Sequence, residues 1–442
     1  MRVLIISANF FPMVPTGAAY IAGAALKAGH SVEVFDCFTA KNLIEELKEK
    51  IERFKPQIVG ISILVVCGDI VDKSKKFYTK YFDNRPVIKK IVNCIKQNSD
   101  SRIVLGGPGF NYYGKDWLEY LDLDYGIRGE SEFSFPRYLN EIEKKGDIFN
   151  IPGCIYRKDR DFYKVQRELV EDLDDTAFPA YELFDLSKYT SFGIFTKRGC
   201  TFNCSFCPYS SLEGTKYRMK SPKRVVDEIE HVLKKRKAGF FNFTDNCFNF
   251  PKQHAEKICQ ELIDRNLTIR WWASNIKPIG ITDDFCRLLK ESGCNYVTLA
   301  IETASEKMLK SMNRGYNITQ IKNALTCFSN SNITFGVTIL IGAHGETPET
   351  IAETFSIIDN FPKIHDVWVS IGICLWTKHQ KILDDARKSG QLQDDRELFE
   401  CGYYIPPELP KKYMVEFIES INSKKNFQLQ VNKPFAEYQK VR

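Results

Sequence analysis

Short β-branched runs take turns with segments of helical period twice along this chain. From Met1 to about Asn150 the runs are RVLIIS, SVEVFD, IVGISIL, RIVLGG and DYGIRG. Between them a helix reads over Ala18 to Ala28, closed by Gly29, and Leu43, Leu47, Ile51 and Phe54 recur on one helical face. Such alternation implies an α/β fold with a doubly wound parallel sheet, whose ligands sit beyond the carboxyl ends of the strands. The segments after Ser7, Ile61, Leu105 and Ile127 are therefore expected to line a site. From about Tyr189 to Cys374 six further runs follow: GIFTKRG, GFFNFTD, TIRWWAS, YVTLAIE, TFGVTILI and DVWVSIGI. Helix starts are marked between them by Ser221-Pro222, Thr282-Asp283-Asp284 and Ser305 with Met308. Six successive βα units imply a parallel sheet curved into a partial (β/α)6 barrel with its active site at the carboxyl mouth.

At 442 residues the chain is about three times an ordinary domain of ~150 residues. The expected division is 1–150 for the first sheet, 151–187 for a hairpin and linker, 188–385 for the barrel and 386–442 for a helical extension. The linker carries Pro179 and an acidic cluster from Glu171 to Asp175, and the extension has an amphipathic helix over Lys411 to Ile421 followed by a polar tail. Hydrophobic content of 43% with 27% charged residues excludes disorder, collagen-like repeats and coiled coil. The longest apolar stretch, Ile58 to Cys67, falls short of the ~18 residues a membrane span needs, and MRVLIISANF does not read as a secretory signal. A cytoplasmic location is expected. The formal charge of +6 is too mild and too scattered to imply nucleic acid, and Lys234, Lys235, Arg236 and Lys237 read as the cationic end of a helix.

Fourteen cysteines in such a chain are expected to be reduced thiols, metal ligands or catalytic groups. Most stand alone, from Cys37, Cys67 and Cys94 to Cys374 and Cys401, and read as small buried hydrophobes. Cys200, Cys204 and Cys207 cluster in GIFTKRGCTFNCSFCPYS, straight after the first barrel strand. Spacings of four and three residues allow a loop to wrap one inorganic centre. A structural zinc wants four ligands, and neither a fourth cysteine nor a histidine lies nearby; His231 is inside a helix. Four-iron clusters also usually take four cysteines, so three leave one iron open to a small molecule. A zinc loop and chance spacing remain the alternatives.

The pattern Cys-x3-Cys-x-aromatic-Cys, with Phe206 before the last cysteine, resembles the signature of the radical S-adenosylmethionine (SAM) enzymes. That resemblance implies a [4Fe-4S] cluster on Cys200, Cys204 and Cys207 whose open iron chelates the amino and carboxylate groups of SAM. Cleavage of the C–S bond then gives a 5′-deoxyadenosyl radical that abstracts hydrogen from unactivated carbon. An electron donor such as flavodoxin or ferredoxin is implied. The resemblance runs on through about 185 residues. FNFTDNCF looks like the segment that meets the SAM ammonium, here with Asp245 and Asn246. TIRWWASN brings Ser274 and Asn275 to the mouth, GCNYVTLAIETASEKMLKSMNRG offers Glu302, and TFGVTILIGAHGETPETI places Ile341 and Gly342 near the adenine. Taken singly, Asp245, Glu302 and Glu346 also read as caps of the helices that follow, and Trp271, Trp272 and Trp368 as core or barrel lining.

The amino-terminal sheet, with PTGAAYIAGAALKAGHSVEVFD, VGISIL, IVLGGPGF and GIRGESE, resembles the Rossmann-like cobalamin-binding domain fused to one large branch of that family. The resemblance implies a cobalamin site at Thr16, Gly17, Ser62, Leu64, Gly106, Gly107, Gly129 and Glu130. One departure stands out. The cobalt-ligating histidine of the Asp-x-His-x-x-Gly signature is absent, the loop reading Asn9-Phe10-Phe11-Pro12 through Thr16-Gly17, and His30 is a poor substitute. Either cobalamin binds with no protein nitrogen on its lower face, or the sheet docks something else. The expected activity is C-methylation with methylcobalamin as donor, on a peptide or protein side chain or a natural-product precursor. Rival readings are cyclisation, oxidation or rearrangement on the same scaffold, and a non-enzymatic metal-binding protein. Methylthiolation is disfavoured, because Asn9 and Gly107 stand where its second cluster needs cysteines.

Overall fold

The computed structural model describes residues 1–71, 79–235, 240–375, 381–400, 402–422, 424 and 426–431. Arg236, Lys237 and Cys401, named above, lie outside them. Internal contacts divide the chain into two units: Met1–Val66, Asp83–Ile194 and Arg218–Ala238 form one, and Cys67–Phe82, Phe195–Tyr217 and Gly239–Arg442 the other.

The first unit is built on a sheet of β1 (Arg2–Ala8), β2 (Ser31–Asp36), β3 (Ile58–Ile63), β4 (Arg102–Gly106), β5 (Tyr125–Ile127), β6 (Cys154–Lys158) and β7 (Asp161–Lys164), in the order β2-β1-β3-β4-β5-β6-β7. The strands run parallel as far as β5. In β1 every residue from Val3 to Ala8 is buried, the mark of a strand covered on both faces, which is why its sequence is continuous rather than alternating. Register places Asp36, Ser7, Ser62 and Gly106 side by side at the carboxyl edge. The expected hairpin is present as β6 and β7, joined antiparallel to β5. The first helix begins at Thr16, two residues earlier than its apolar pattern suggests, and ends at Lys27, with Gly29 at φ +87° turning the chain.

The second unit carries β8 (Phe240–Phe243), β9 (Arg270–Ile276), β10 (Cys294–Glu302), β11 (Thr334–Ile341), β12 (Asp366–Ile371) and β13 (Phe427–Val431), each parallel to the next. Trp271 is fully buried against Phe243 and Phe248, and its indole N–H donates to the Ser292 carbonyl at 2.9 Å, so it is core. Two details depart from the sequence reading. The run GIFTKRG is broken into Phe192–Ile194 and Lys197–Arg198, because the amides of Thr196 and Lys197 donate to the Asp245 carboxylate and leave the ladder. The supposed polar tail contains β13, whose Leu429 is buried. Cys67 is disulfide-bonded, so the expectation of reduced thiols fails there; spacing along a chain does not reveal which thiols the fold brings together. No helix of the described residues is long and apolar enough to cross a membrane.

Candidate active site

The three-cysteine loop is fastened from several sides. Gly199 has φ +87°, and a Cβ there would stand 2.0 Å from the Lys216 carbonyl oxygen, so only glycine lets the chain enter the loop. Its amide donates to Glu213 Oε2 at 3.2 Å, and the Cys200 amide donates to the Gly214 carbonyl at 3.1 Å. The same Glu213 oxygen accepts Asn246 Nδ2 at 2.6 Å. Opposite, the Ser205 amide donates to the Met312 carbonyl, and Asn313 Nδ2 donates to the Asn203 carbonyl at 2.7 Å. Cys200 and Cys204 are buried and Cys207 is half-buried. Burial, with Cys204 and Cys200 beside it, pushes the Cys207 thiol up to about 12, and a cationic metal would favour its thiolate.

Two of the expected SAM contacts are turned to the fold itself. The buried carboxylate of Asp245 accepts the Thr196 amide and Thr196 Oγ1, both at 2.7 Å, and the Lys197 amide at 3.1 Å, with Lys197 Nζ 3.6 Å away. Its oxygens are thereby taken, and its work is to hold the strand that delivers Gly199 and Cys200. Asn246 is bound to Glu213 as described. Ser274 is half-buried and accepts Asn275 Nδ2 at 3.4 Å. Glu302 ends β10 at φ +59°, a conformation that costs a non-glycine residue about 1–3 kcal/mol and clusters at functional sites. Its Oε1 lies 3.3 Å from Thr338 Oγ1 and 3.7 Å from Arg314 Nη2. Ile341 is buried, and Gly342 at φ +112° abuts Gly372 while donating its amide to Glu346 Oε2 at 3.2 Å. None of Asp245, Glu302 and Glu346 caps the following helix. Thr347 is the N-cap residue after Glu346, and Ser305 holds that position after Glu302.

Sequence reasoning missed the cations. Arg314 is buried and donates from Nη1 to Cys204 Sγ at 3.2 Å, from Nη2 to the Ala300 carbonyl at 2.6 Å and from Nε to Tyr316 Oη at 2.7 Å. Its guanidinium stands 5.5 Å from the Phe206 ring. Lys277 is buried with Nζ 4.1 Å from the Phe202 ring centre, and burial together with Arg314 lowers its ammonium below the ordinary lysine range. An arginine between turn residues Asn313 and Gly315 was the one available signal, but its sulfur partner lies 110 positions away.

In the first unit the expected cobalamin residues gather at the carboxyl edge, at the ends of β3, β4 and β5 and the start of the first helix. His30 precedes β2 at the opposite edge, beside the amino terminus and Glu143. The Asn9 side chain is buried in its own loop, donating to the carbonyls of Phe11 and Met13 and accepting the Phe11 amide.

The family model for the radical SAM superfamily matches residues 194–358, and that for the B12 binding domain matches residues 1–139. The chain joins a B12 binding domain to a radical SAM domain. It is 27% identical over 350 residues to an uncharacterized methyltransferase of Pyrococcus horikoshii, across 77% of this chain and 72% of that protein. It is 27% identical over 380 residues to the anaerobic magnesium-protoporphyrin IX monomethyl ester cyclase of Rubrivivax gelatinosus, across 81% of this chain and 65% of that one. In fold it matches the radical SAM methyltransferase TsrM from Kitasatospora setae, solved with tryptophan and a SAM analog, with a TM-score of 0.81 at 20% identity, covering 96% of this chain and 90% of that chain.

A cobalamin-binding radical SAM enzyme uses a [4Fe-4S] cluster, SAM and cobalamin, and the residues present fit these groups. Cys200, Cys204 and Cys207 share one loop and are buried or half-buried, with Arg314 donating to Cys204 Sγ at 3.2 Å, and a set of three soft thiolates suits the irons of a cluster. At the other edge, a Cβ on Gly17 would meet nothing within 4 Å, and one on Gly106 would meet only the Ile127 carbonyl at 3.6 Å, so both border open space. Gly107 is required for another reason: at φ +90° its Cβ would stand 2.6 Å from the Ile63 carbonyl oxygen. Thr16 Oγ1 accepts Tyr181 Oη at 3.0 Å, and the Glu130 carboxylate is held by Arg218, 2.6 Å from Nη1, and by the Val170 amide at 2.8 Å, so these two serve the frame of the edge.

Proposed function

We propose that the chain is a cobalamin-dependent radical SAM C-methyltransferase acting on an sp3 carbon of a peptide, a protein side chain or a natural-product precursor. The observation that carries this reading is the fastened loop of Cys200, Cys204 and Cys207 in a chain that also has a B12 binding domain. When bound, the cluster and SAM supply a hydrogen-abstracting carbon radical, and cobalamin supplies a methyl group.

The chain's own residues divide the remaining work. Cys200, Cys204 and Cys207 hold three irons and leave the fourth open. Asp245 and Glu213 keep the loop in place. Glu302, Ser274, Ile341 and Gly342 line the barrel mouth for SAM, with Phe206 beside the cluster. Ser62, Leu64, Gly17, Gly106 and Gly129 border the cobalamin edge. With Asn9 folded into its own loop and His30 at the far edge, no histidine of the signature position serves the lower face of cobalt. An external one-electron donor of the flavodoxin or ferredoxin kind completes the requirements.

The test is anaerobic turnover of reconstituted protein with SAM, cobalamin and a reductant. Formation of 5′-deoxyadenosine together with S-adenosylhomocysteine supports methyl transfer. The relationship to a cyclase makes a second outcome specific: 5′-deoxyadenosine without S-adenosylhomocysteine would assign ring closure or oxidation instead. Changing all three cysteines to alanine should remove iron, sulfide and 5′-deoxyadenosine together.

A further inference from the structure

We infer that Arg314 sets the reduction potential of the cluster through an N–H···S hydrogen bond to Cys204. This rests on the reading that Cys200, Cys204 and Cys207 hold that cluster. The guanidinium is clamped: its side chain is 4% exposed, Nε is fixed by Tyr316 Oη at 2.7 Å, and Nη2 by the Ala300 carbonyl at 2.6 Å. Tyr316 is itself anchored, donating to the carbonyls of Ala300 at 2.8 Å and Ile301 at 3.0 Å. With those positions settled, the planar fork has one direction left for Nη1, and it meets Cys204 Sγ at 3.2 Å.

A buried cation donating to a ligand sulfur stabilises whichever state of the cluster is more negative. Hydrogen bonds to the sulfurs and net local charge are among the levers that place iron–sulfur potentials across their wide range. One electron from an external reductant takes the cluster from its 2+ to its 1+ state, so Arg314 makes that uptake easier. The same guanidinium lies 3.7 Å from Glu302, which ties the cluster ligand to the strand end that faces SAM. Lys277 adds a second buried positive charge nearby, but its ammonium rests on the ring faces of Phe202 and Tyr316. Arg314 is thus a positioning residue acting through Cys204.

The experiment is an EPR-monitored redox titration of the reconstituted, SAM-free protein, comparing wild type with R314M and R314Q at equal iron and sulfide content. At the wild-type midpoint, R314M should show a reduced-to-oxidised ratio about tenfold lower than wild type, a shift of about 59 mV to lower potential for one electron. R314Q, which keeps an N–H without the charge, should fall between them. A fully loaded R314M within about threefold of wild type overturns the inference. Should R314M fail to take up iron, pulsed EPR of wild-type protein grown on nitrogen-15 arginine decides it: a label-dependent nitrogen coupling to the reduced cluster is expected, and its absence overturns the inference. Wild-type protein without any cluster would overturn the cluster reading as well.

Discussion

Asp245 and Glu346 show how far a residue's role is legible before its neighbours are known. The motif containing Asp245 is visible in sequence, yet its carboxylate holds Thr196 and Lys197 because the strand break at 195–196 leaves two amides that need an acceptor. Replacing Asp245 with asparagine should cost about 3 kcal/mol or more, since it uncouples a buried pair, and should lower iron uptake with it. Chemical denaturation and iron content measure the two effects. Glu346 is buried, and burial raises its carboxyl from the ordinary 4.5 to about 7. Between those values the folded chain keeps a proton that the unfolded chain has released. The resulting stability is fully present below about 4.5 and is lost as pH rises through about 7, a change of about 3 kcal/mol. Thermal unfolding of E346Q should therefore depend less on pH than wild type across that window.

At the scale of elements, the βα rhythm was readable almost throughout, because parallel strands buried on both faces leave long apolar runs between helices of 3.6 period. What escaped was decided by distant partners. β13 has only Phe427, Leu429 and Val431 as apolar residues, and its status follows from pairing with β12. Truncation after Asn426 should uncover that strand's edge and remove the Phe427 ring from Phe355, giving a lower melting temperature and aggregation by light scattering. The cluster loop was visible from its spacing, but its fastening was not: Glu213, Asn246 and Arg314 reach it from other segments. Gly199→Ala should cost several-fold in cluster occupancy at unchanged cysteine content, because a methyl group would overlap the Lys216 carbonyl. Iron and sulfide analysis measures it.

For the molecule as a whole, the missing histidine of the cobalt-ligating signature has a spectroscopic consequence. Protein-bound cob(II)alamin should give an EPR spectrum free of nitrogen superhyperfine splitting; a split spectrum would mean that some other nitrogen reaches the cobalt. Cobalamin at one hundred times its dissociation constant should add about 2.7 kcal/mol to stability by mass action, visible as a rise of several degrees in melting temperature. The hydrogen bonds at Gly199, Cys200, Ser205 and Asn203 tie the loop to Glu213, Gly214, Met312 and Asn313. These ties predict a loop that keeps its shape on loading: far-UV circular dichroism of iron-free protein should match that of the loaded form, whereas a zinc finger, which needs its ion to fold, loses its signal when stripped.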